Sequence, residues 1–234
     1  MVISYQYTYL IGNLIGLAVW TFIFLKRKDL RKEMLTISLI FGLSGPLVQS
    51  IYIRDWWQPL TITRTAIGIE DFLFGFITGG ILSVIYSFLF NKRIQTKKQK
   101  KIRDQKRNIN FITILGLTGL ILLSGFFLFG LNSLISTTLA FSVPILIIWT
   151  RRKDLIKNSL VSGISALIIT TIVYHLLNII TPGWIDNFWY FDFVGKIMIL
   201  GVPLEEHIFY FLAGAFIDPL YEYWKEGKLI NAKN

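Results

Sequence analysis

The sequence predicts an all-α integral membrane protein: seven transmembrane helices, built as two parallel three-helix repeats joined by a linking helix. Three observations lead there. The 234 residues are 53% hydrophobic and only 16% charged, with a mean hydropathy of +0.57, whereas a soluble domain carries about 25% charged residues. The apolar residues gather into seven long runs, and the basic residues gather in alternate gaps between them. Two stretches of the chain, one on each side of the fourth run, resemble each other. The chain has no cysteine, which excludes disulfides and cysteine-based metal or redox sites, and its two histidines, His175 and His207, leave little scope for a histidine-rich metal centre.

A bilayer core about 30 Å thick needs roughly 20 apolar residues in a helix. The runs that meet or approach this length are Tyr7–Leu25, Met34–Tyr52, Thr65–Phe90, Asn110–Phe129, Asn132–Thr150, Ser159–Ile180 and Lys196–Asp218. The first is not a cleavable signal peptide, because no Lys or Arg precedes it and Lys26-Arg27-Lys28 follows it. The third is long and charged near its start, which puts its first turns at the interface. Pro144 predicts a kink in the fifth, tolerable in a membrane helix.

Residues 26–33 hold five Lys or Arg, residues 91–109 nine, residues 151–157 four and the tail three. Only Arg54, Arg64 and Lys196 remain for the other side. By the positive-inside rule this predicts a multi-pass protein of the cell membrane with its N-terminus outside and its C-terminus in the cytoplasm. The same distribution explains the net charge of +10 without nucleic acid. The basic run Asn91–Arg107 can grip anionic lipid head groups, but between two spanning helices it reads first as a solvated loop that enforces topology.

The repeat divides the chain into residues 1–107, a linking helix at 108–131, and residues 132–234. Lys28-Asp29-Leu30-Arg31-Lys32 after the first run matches Lys153-Asp154-Leu155-Ile156-Lys157 after the fifth. Tryptophans follow in the outer loops, Trp56 and Trp57 in one copy, Trp184 and Trp189 in the other. Then Glu70-Asp71-Phe72-Leu73-Phe74-Gly75-Phe76 matches Glu205-Glu206-His207-Ile208-Phe209-Tyr210-Phe211. Four helices separate equivalent points, an even number of crossings, so the copies run parallel and their axis lies along the membrane normal.

The acid pairs are the candidate chemistry. Glu205 lies nine residues past Lys196, about 14 Å along a helix, which places it close to mid-bilayer. Intramembrane carboxyls face the protein interior and favour their neutral form, which makes a buried Glu a proton donor. Glu70 lies six residues past Arg64, nearer the outer face. Neighbouring acids resist double ionisation, and Pro203 removes a backbone donor beside them. Phe74 and Phe209 each follow a Glu by four residues, on the same helical face, and aromatic faces stabilise cations. Each phenylalanine also reads as ordinary packing, the tryptophans as an interfacial belt, and His207 as either a proton relay or a hydrogen-bonded interior histidine. At this point the acids serve an interhelical hydrogen bond or ion pair with Arg54 or Arg64, a proton relay, or acid catalysis on an apolar substrate, the sharper of the three.

The run Pro203-Leu204-Glu205-Glu206-His207-Ile208-Phe209-Tyr210-Phe211, with Pro219-Leu220-Tyr221-Glu222 beyond it, resembles the lycopene cyclase domain family. This is the small membrane type found as two subunits or as one fused chain, with the motif Pro-x-Glu-Glu before a Phe-rich stretch. The first copy departs from it, with Ile67-Gly68-Ile69 before Glu70 and Asp71 for the second Glu. The resemblance implies a carotenoid ring-forming isomerase that cyclises the ends of lycopene to ionone rings without net redox change. It implies Glu205 as the primary acid with Glu206 assisting, Glu70 and Asp71 as a second pair, and Phe74, Phe76, Phe209, Phe211 and His207 around the substrate. No cofactor or metal is implied. No G-x-G-x-x-G cradle of the flavin-binding cyclase type is present. The implied partners are lycopene or a related long polyene drawn from the bilayer, membrane lipid and other carotenoid-pathway enzymes. The competing reading is a proton-coupled transporter or a non-catalytic isoprenoid-binding protein.

Overall fold

The computed structural model describes residues 4–95 and 110–232, so residues 96–107 of the basic run lie outside the described residues. Among the described residues the chain is mostly helical. After a 3-10 turn at Tyr5–Tyr7 come α1 (Thr8–Lys26), α2 (Arg31–Tyr52), α3 (Ile69–Leu82) and α4 (Ile85–Leu89). Strand β1 (Lys92–Gln95) precedes α5 (Phe111–Phe127), α6 (Ser133–Arg151), α7 (Ile156–Ile180) and α8 (Trp184–Phe188). The chain ends with a short hairpin, β2 (Met198–Ile199) and β3 (Val202–Pro203), then α9 (Leu204–Lys225) and β4 (Lys228–Asn231). Asn110 and Asn132 cap α5 and α6, each side-chain oxygen accepting a backbone N–H at 2.8 Å. Helix α6 runs unbroken through Pro144.

Among the described residues four segments are long and apolar enough to cross a membrane: Tyr5–Lys26, Arg31–Tyr52, Ser133–Arg151 and Lys153–Ile180. The protein is therefore a multi-pass membrane protein. Its exterior fits lipid rather than water: Leu43, Leu47, Ile112, Leu128 and Ile179 are 67–79% exposed, while serine, threonine and asparagine are buried between helices. The tightest seams use glycine. A Cβ on Gly75 would lie 2.2 Å from the Phe41 carbonyl oxygen where α3 meets α2, and one on Gly214 would lie 2.6 Å from that of Ser162 where α9 meets α7.

Two runs differ from the sequence expectation. The third is not continuous: its helix begins at Ile69 and breaks at Ser83–Val84 before α4. The seventh does not start at Lys196. Leu200 and Gly201 take positive φ values of 49° and 73° to turn the β2–β3 hairpin, and Pro203, lacking an N–H, stands at the N-cap of α9. The depth expected for Glu205 is therefore corrected: Glu205 sits in a first turn, not nine residues into a helix.

Corresponding parts of the two halves are held alike. Arg27 forks onto Asp29 at 2.8 and 2.9 Å and also donates to the carbonyls of Ser87 (3.0 Å) and Lys92 (2.5 Å). Arg152 forks onto Asp154 at 2.7 and 2.8 Å and donates to the carbonyls of Glu222 (3.5 Å) and Gly227 (2.8 Å). Beyond them β1 and β4 pair antiparallel, Ile94 opposite Leu229. This small sheet takes up the start of the run expected to be a loop. At the other end of the bundle Trp57 and Trp189 form an antiparallel bridge, flanked by Gln58 N–H to Phe188 O (2.7 Å) and Tyr190 N–H to Trp56 O (3.1 Å).

Candidate active site

Both acid pairs occupy the same places in a helix's first turn. After the N-cap Gly68, residues Ile69, Glu70 and Asp71 open α3; after the N-cap Pro203, residues Leu204, Glu205 and Glu206 open α9. From the third helical position an acidic side chain can reach back to the N–H of the N-cap residue. Asp71 does this, its Oδ2 accepting from Gly68 N–H at 2.8 Å. Pro203 has no N–H to offer, so Glu206 cannot close the same ring. Its carboxyl turns inward instead: Tyr174 OH donates to Oε2 at 2.8 Å and Trp189 Nε1–H donates to Oε1 at 3.2 Å.

Glu206 thereby lies on the wall of a cavity of about 140 Å³ enclosed by α1, α3, α7 and α9. The acid end is ringed by Tyr9, Asn13, Tyr52, Tyr174 and Tyr210 and roofed by Trp56, Trp57, Trp184 and Trp189. The far end is apolar, formed by Ile77, Ile81, Leu82, Ala166 and Ile169. The roof is aromatic: Trp57 stacks on Trp189 with centroids 5.2 Å apart, Tyr9 meets Trp57 edge-on at 5.3 Å, and Tyr174 lies 5.9 Å from Trp189. Phe74 and Phe209 flank Tyr210 at 6.4 and 5.1 Å.

The sequence-derived residues separate on this geometry. Glu206, Phe74 and Phe209 line the cavity; Glu205, Glu70, Asp71, Phe76, Phe211 and His207 do not. Glu205 is buried with Oε2 lacking a hydrogen-bond partner among the described residues. Glu70 is buried too: Ile62 N–H donates to its Oε1 at 2.6 Å, and its Oε2 is likewise unpartnered. Asp71 reaches the cavity only through Tyr9, whose hydroxyl donates to Oδ1 at 3.0 Å. Phe76 packs on Trp20 at 5.3 Å, a Cβ on Gly163 would lie within 3.0 Å of the Phe211 ring, and His207 Nδ1 lies 3.1 Å from the Pro203 carbonyl oxygen. The four tryptophans, read from sequence as an interfacial belt, are 3–9% exposed and belong to the cavity. Sequence reasoning passed over Tyr9, Asn13, Tyr52 and Tyr174, although a polar group within an apolar run is itself a signal.

Among the described residues no lysine or arginine forms an ion pair with the four acids. Arg54 lies over Phe126 and Phe127 at 5.8 and 5.4 Å, and Arg64 reaches Gln6 at 3.5 Å. An indole N–H only donates, whereas a tyrosine hydroxyl both donates and accepts, so a proton on Oε2 of Glu206 can be shared with the Tyr174 oxygen at the edge of a space walled by aromatic rings.

Residues 132–224 match the lycopene cyclase family. The match covers less than half of the chain, from α6 into α9, and it includes Tyr174, Trp184, Trp189, Pro203, Glu205, Glu206 and Phe209. Tyr9, Trp57, Asp71 and Phe74 lie outside the stretch matched to lycopene cyclase. No curated protein and no solved structure matches the chain.

Proposed function

We propose that the protein is a carotenoid ring-forming isomerase, closing the acyclic ends of lycopene or a related long polyene to ionone rings with no net redox change. One observation carries this reading: within the stretch that matches lycopene cyclase, a glutamic acid held by Tyr174 and Trp189 faces an apolar, aromatic-walled cavity.

Protonation of a terminal double bond by Glu206 gives a tertiary carbocation. A double bond further along the chain attacks it, closing a six-membered ring, and loss of a proton restores neutrality. The cation needs exclusion of water and electron-rich faces around it, which the tryptophan roof, Phe74 and Phe209 supply. Glu206 replaces Glu205 as the favoured donor because it has access to the cavity. Glu205 stands beside it, and Glu70 and Asp71 form the second pair. The cavity of about 140 Å³ is on the scale of one that admits a benzene ring, so a methyl-substituted polyene end widens it on entry while the rest of the chain stays outside. Gly12, Gly16, Ile169 and Val173, half-buried on α1 and α7 and lining the cavity, are where a chain from the bilayer would enter once the two helices part.

The surrounding architecture, in the same proposal, is seven spans in two parallel three-helix units around the linking helix α5, N-terminus outside and C-terminus cytoplasmic. The matching Arg27 and Arg152 forks support it, as do the facing pairs Ile94–Leu229 at one end and Trp57–Trp189 at the other, which mark two points on a common two-fold axis. The excess of Lys and Arg at the first of these ends supports the orientation.

Expression in lycopene-accumulating cells, with chromatography of the pigments, tests the reading. The expected result is monocyclic or bicyclic carotene from the native chain and a loss of about 10²–10⁴-fold in ring formation with Glu206→Gln, the scale of a general acid. Unchanged lycopene with the native chain well inserted in the membrane refutes the activity. A Glu206→Gln variant that cyclises at the native rate removes Glu206 from it.

A further inference from the structure

Ring closure leaves a chemical requirement that Glu206 does not meet. The carbon that gains the proton and the carbon that ends with the positive charge stand opposite one another across the new six-membered ring. The proton is then lost from the ring carbon beside the charge where closure occurred, from the ring methylene beside it, or from the attached methyl group. Each choice puts the double bond in a different place, so the ring isomer is decided by where the proton acceptor stands. Donor and acceptor therefore belong on different walls of the cavity.

We infer, resting on the cyclase reading above, that the Tyr9–Asp71 pair is the proton acceptor and sets which ring isomer forms. Tyr9 comes from α1, while Glu206 comes from α9, and the stacked Trp57 and Trp189 separate Tyr9 from Tyr174 along the roof. Tyr9 lines the cavity and donates its hydroxyl proton to Asp71 Oδ1 at 3.0 Å, both residues being buried. Asp71, like Glu206, accepts at both oxygens, one from Tyr9 and the other from the N-cap amide of its own helix, but it lies behind Tyr9 and not on the cavity wall, so it can take a proton from the cavity only by way of the Tyr9 hydroxyl. The step balances as one transfer. The cation's C–H bond breaks and its electrons become the ring double bond. The proton goes to the Tyr9 oxygen as the Tyr9 proton passes to Asp71. Glu206 is left ionised and Asp71 protonated, so each turnover is completed by the return of one proton from Asp71 to Glu206.

The test compares native chain, Tyr9→Phe and Asp71→Asn in lycopene-accumulating cells, with the ring isomers resolved by chromatography and NMR. Asp71→Asn keeps an oxygen for the Gly68 amide, and Tyr9→Phe leaves Asp71 and its cap untouched, so at least one variant retains the fold; protein level and thermal unfolding in detergent check this. The expected outcome is that rings still form and the share of minor isomers rises about tenfold, within the reach of a positioned general base. Native isomer ratios in both folded variants overturn the inference while leaving the cyclase reading intact. So does a folded Tyr9→Phe variant that makes no rings, because Tyr9 would then act before closure. A native chain that makes no rings at all overturns both.

Discussion

The first turns of α3 and α9 are built on one pattern and put to different uses. At the second helical position each carries a Glu with an unpartnered buried oxygen, Glu70 or Glu205; at the third it carries the acid bound to a tyrosine, Asp71 or Glu206. The N-cap residue separates them. Gly68 supplies an N–H, so Asp71 is drawn back to cap its own helix and meets the cavity only through Tyr9. Pro203 supplies none, so Glu206 is free to enter the cavity wall. A single backbone hydrogen thus distinguishes an acid committed to helix capping from an acid turned into the cavity wall. The proline of Pro-x-Glu-Glu acts less by bending the helix than by withholding a donor.

The most direct way to break this contrast is Pro203→Ala. It restores an amide at the N-cap, and Glu206 is expected to swing back towards it as Asp71 does. Small misplacements of a reacting group cost up to about 10²-fold, so the expected loss in ring formation is about 10- to 100-fold, read in kcat with the protein still folded. Retention of native kcat would show that Tyr174 and Trp189 suffice to hold Glu206. Gly68→Ala, which keeps the N-cap amide, is the companion probe, where stability rather than chemistry carries the effect. A Cβ there would lie 2.3 Å from Glu70 Oε2 and 2.8 Å from Thr61 Cγ2, and such overpacking costs about 1–3 kcal/mol. Thermal unfolding in detergent should register it, with pigment per folded molecule nearly unchanged.

How much of this the sequence could tell depended on range. The helices followed from apolar run length, and α1, α2, α5, α6 and α7 lie within a few residues of their runs. The acid pairs followed from the rarity of charge in such runs. Three things did not. The start of α9 was read through Lys196, because the apolar residues of 197–202 give the same hydropathy whether they form a helix or a hairpin; Leu200, Gly201 and Pro203 decide it through φ and a missing donor. Glu205 and Glu206 are adjacent and chemically alike, so only the hydrogen-bond partners, 17 and 32 residues away in sequence, tell which one faces the cavity. Tryptophan at a membrane interface and tryptophan over a cavity share a sequence signature, and the backbone pairing of residues 56–58 with 188–190 is a long-range event.

The contrast can be sharpened at the partner side chains. Tyr174→Phe leaves Glu206 with the Trp189 indole alone, removing the group that shares its proton. A hydrogen bond to a group of this kind is worth about 1–1.5 kcal/mol, so ring formation should fall roughly tenfold, with the isomer ratio unchanged. Tyr9→Phe, at the corresponding bond to Asp71, should instead change the isomer ratio. If the two variants instead have the same effect, the acids do not divide the work, and the difference between Gly68 and Pro203 has no chemical consequence.

The smallest effect tests the part of the two halves that is alike. Arg27 holds the Asp29 carboxyl below its ordinary range, chiefly by the hydrogen-bonded fork and in part by its charge. That pair therefore contributes stability above the ordinary aspartate value, about pH 4, and loses it as the pH falls through the lowered folded value. Asp29 is 37% exposed, so solvent screening limits the contribution to about 0.5 kcal/mol. Asp29→Asn should lower stability by that amount at pH 7 and by nothing once the acid is protonated in both states. Asp154→Asn, at the matching fork, should cost a similar amount at pH 7, and any departure of the double variant from the sum measures coupling through the β1–β4 sheet that both arginines hold. A much larger cost at one fork would mean that one half depends on its Arg for holding the end of its third helix, where Ser87 and Lys92 or Glu222 and Gly227 accept the remaining bonds. The two halves would then differ at both ends of the bundle and not at the acid end alone.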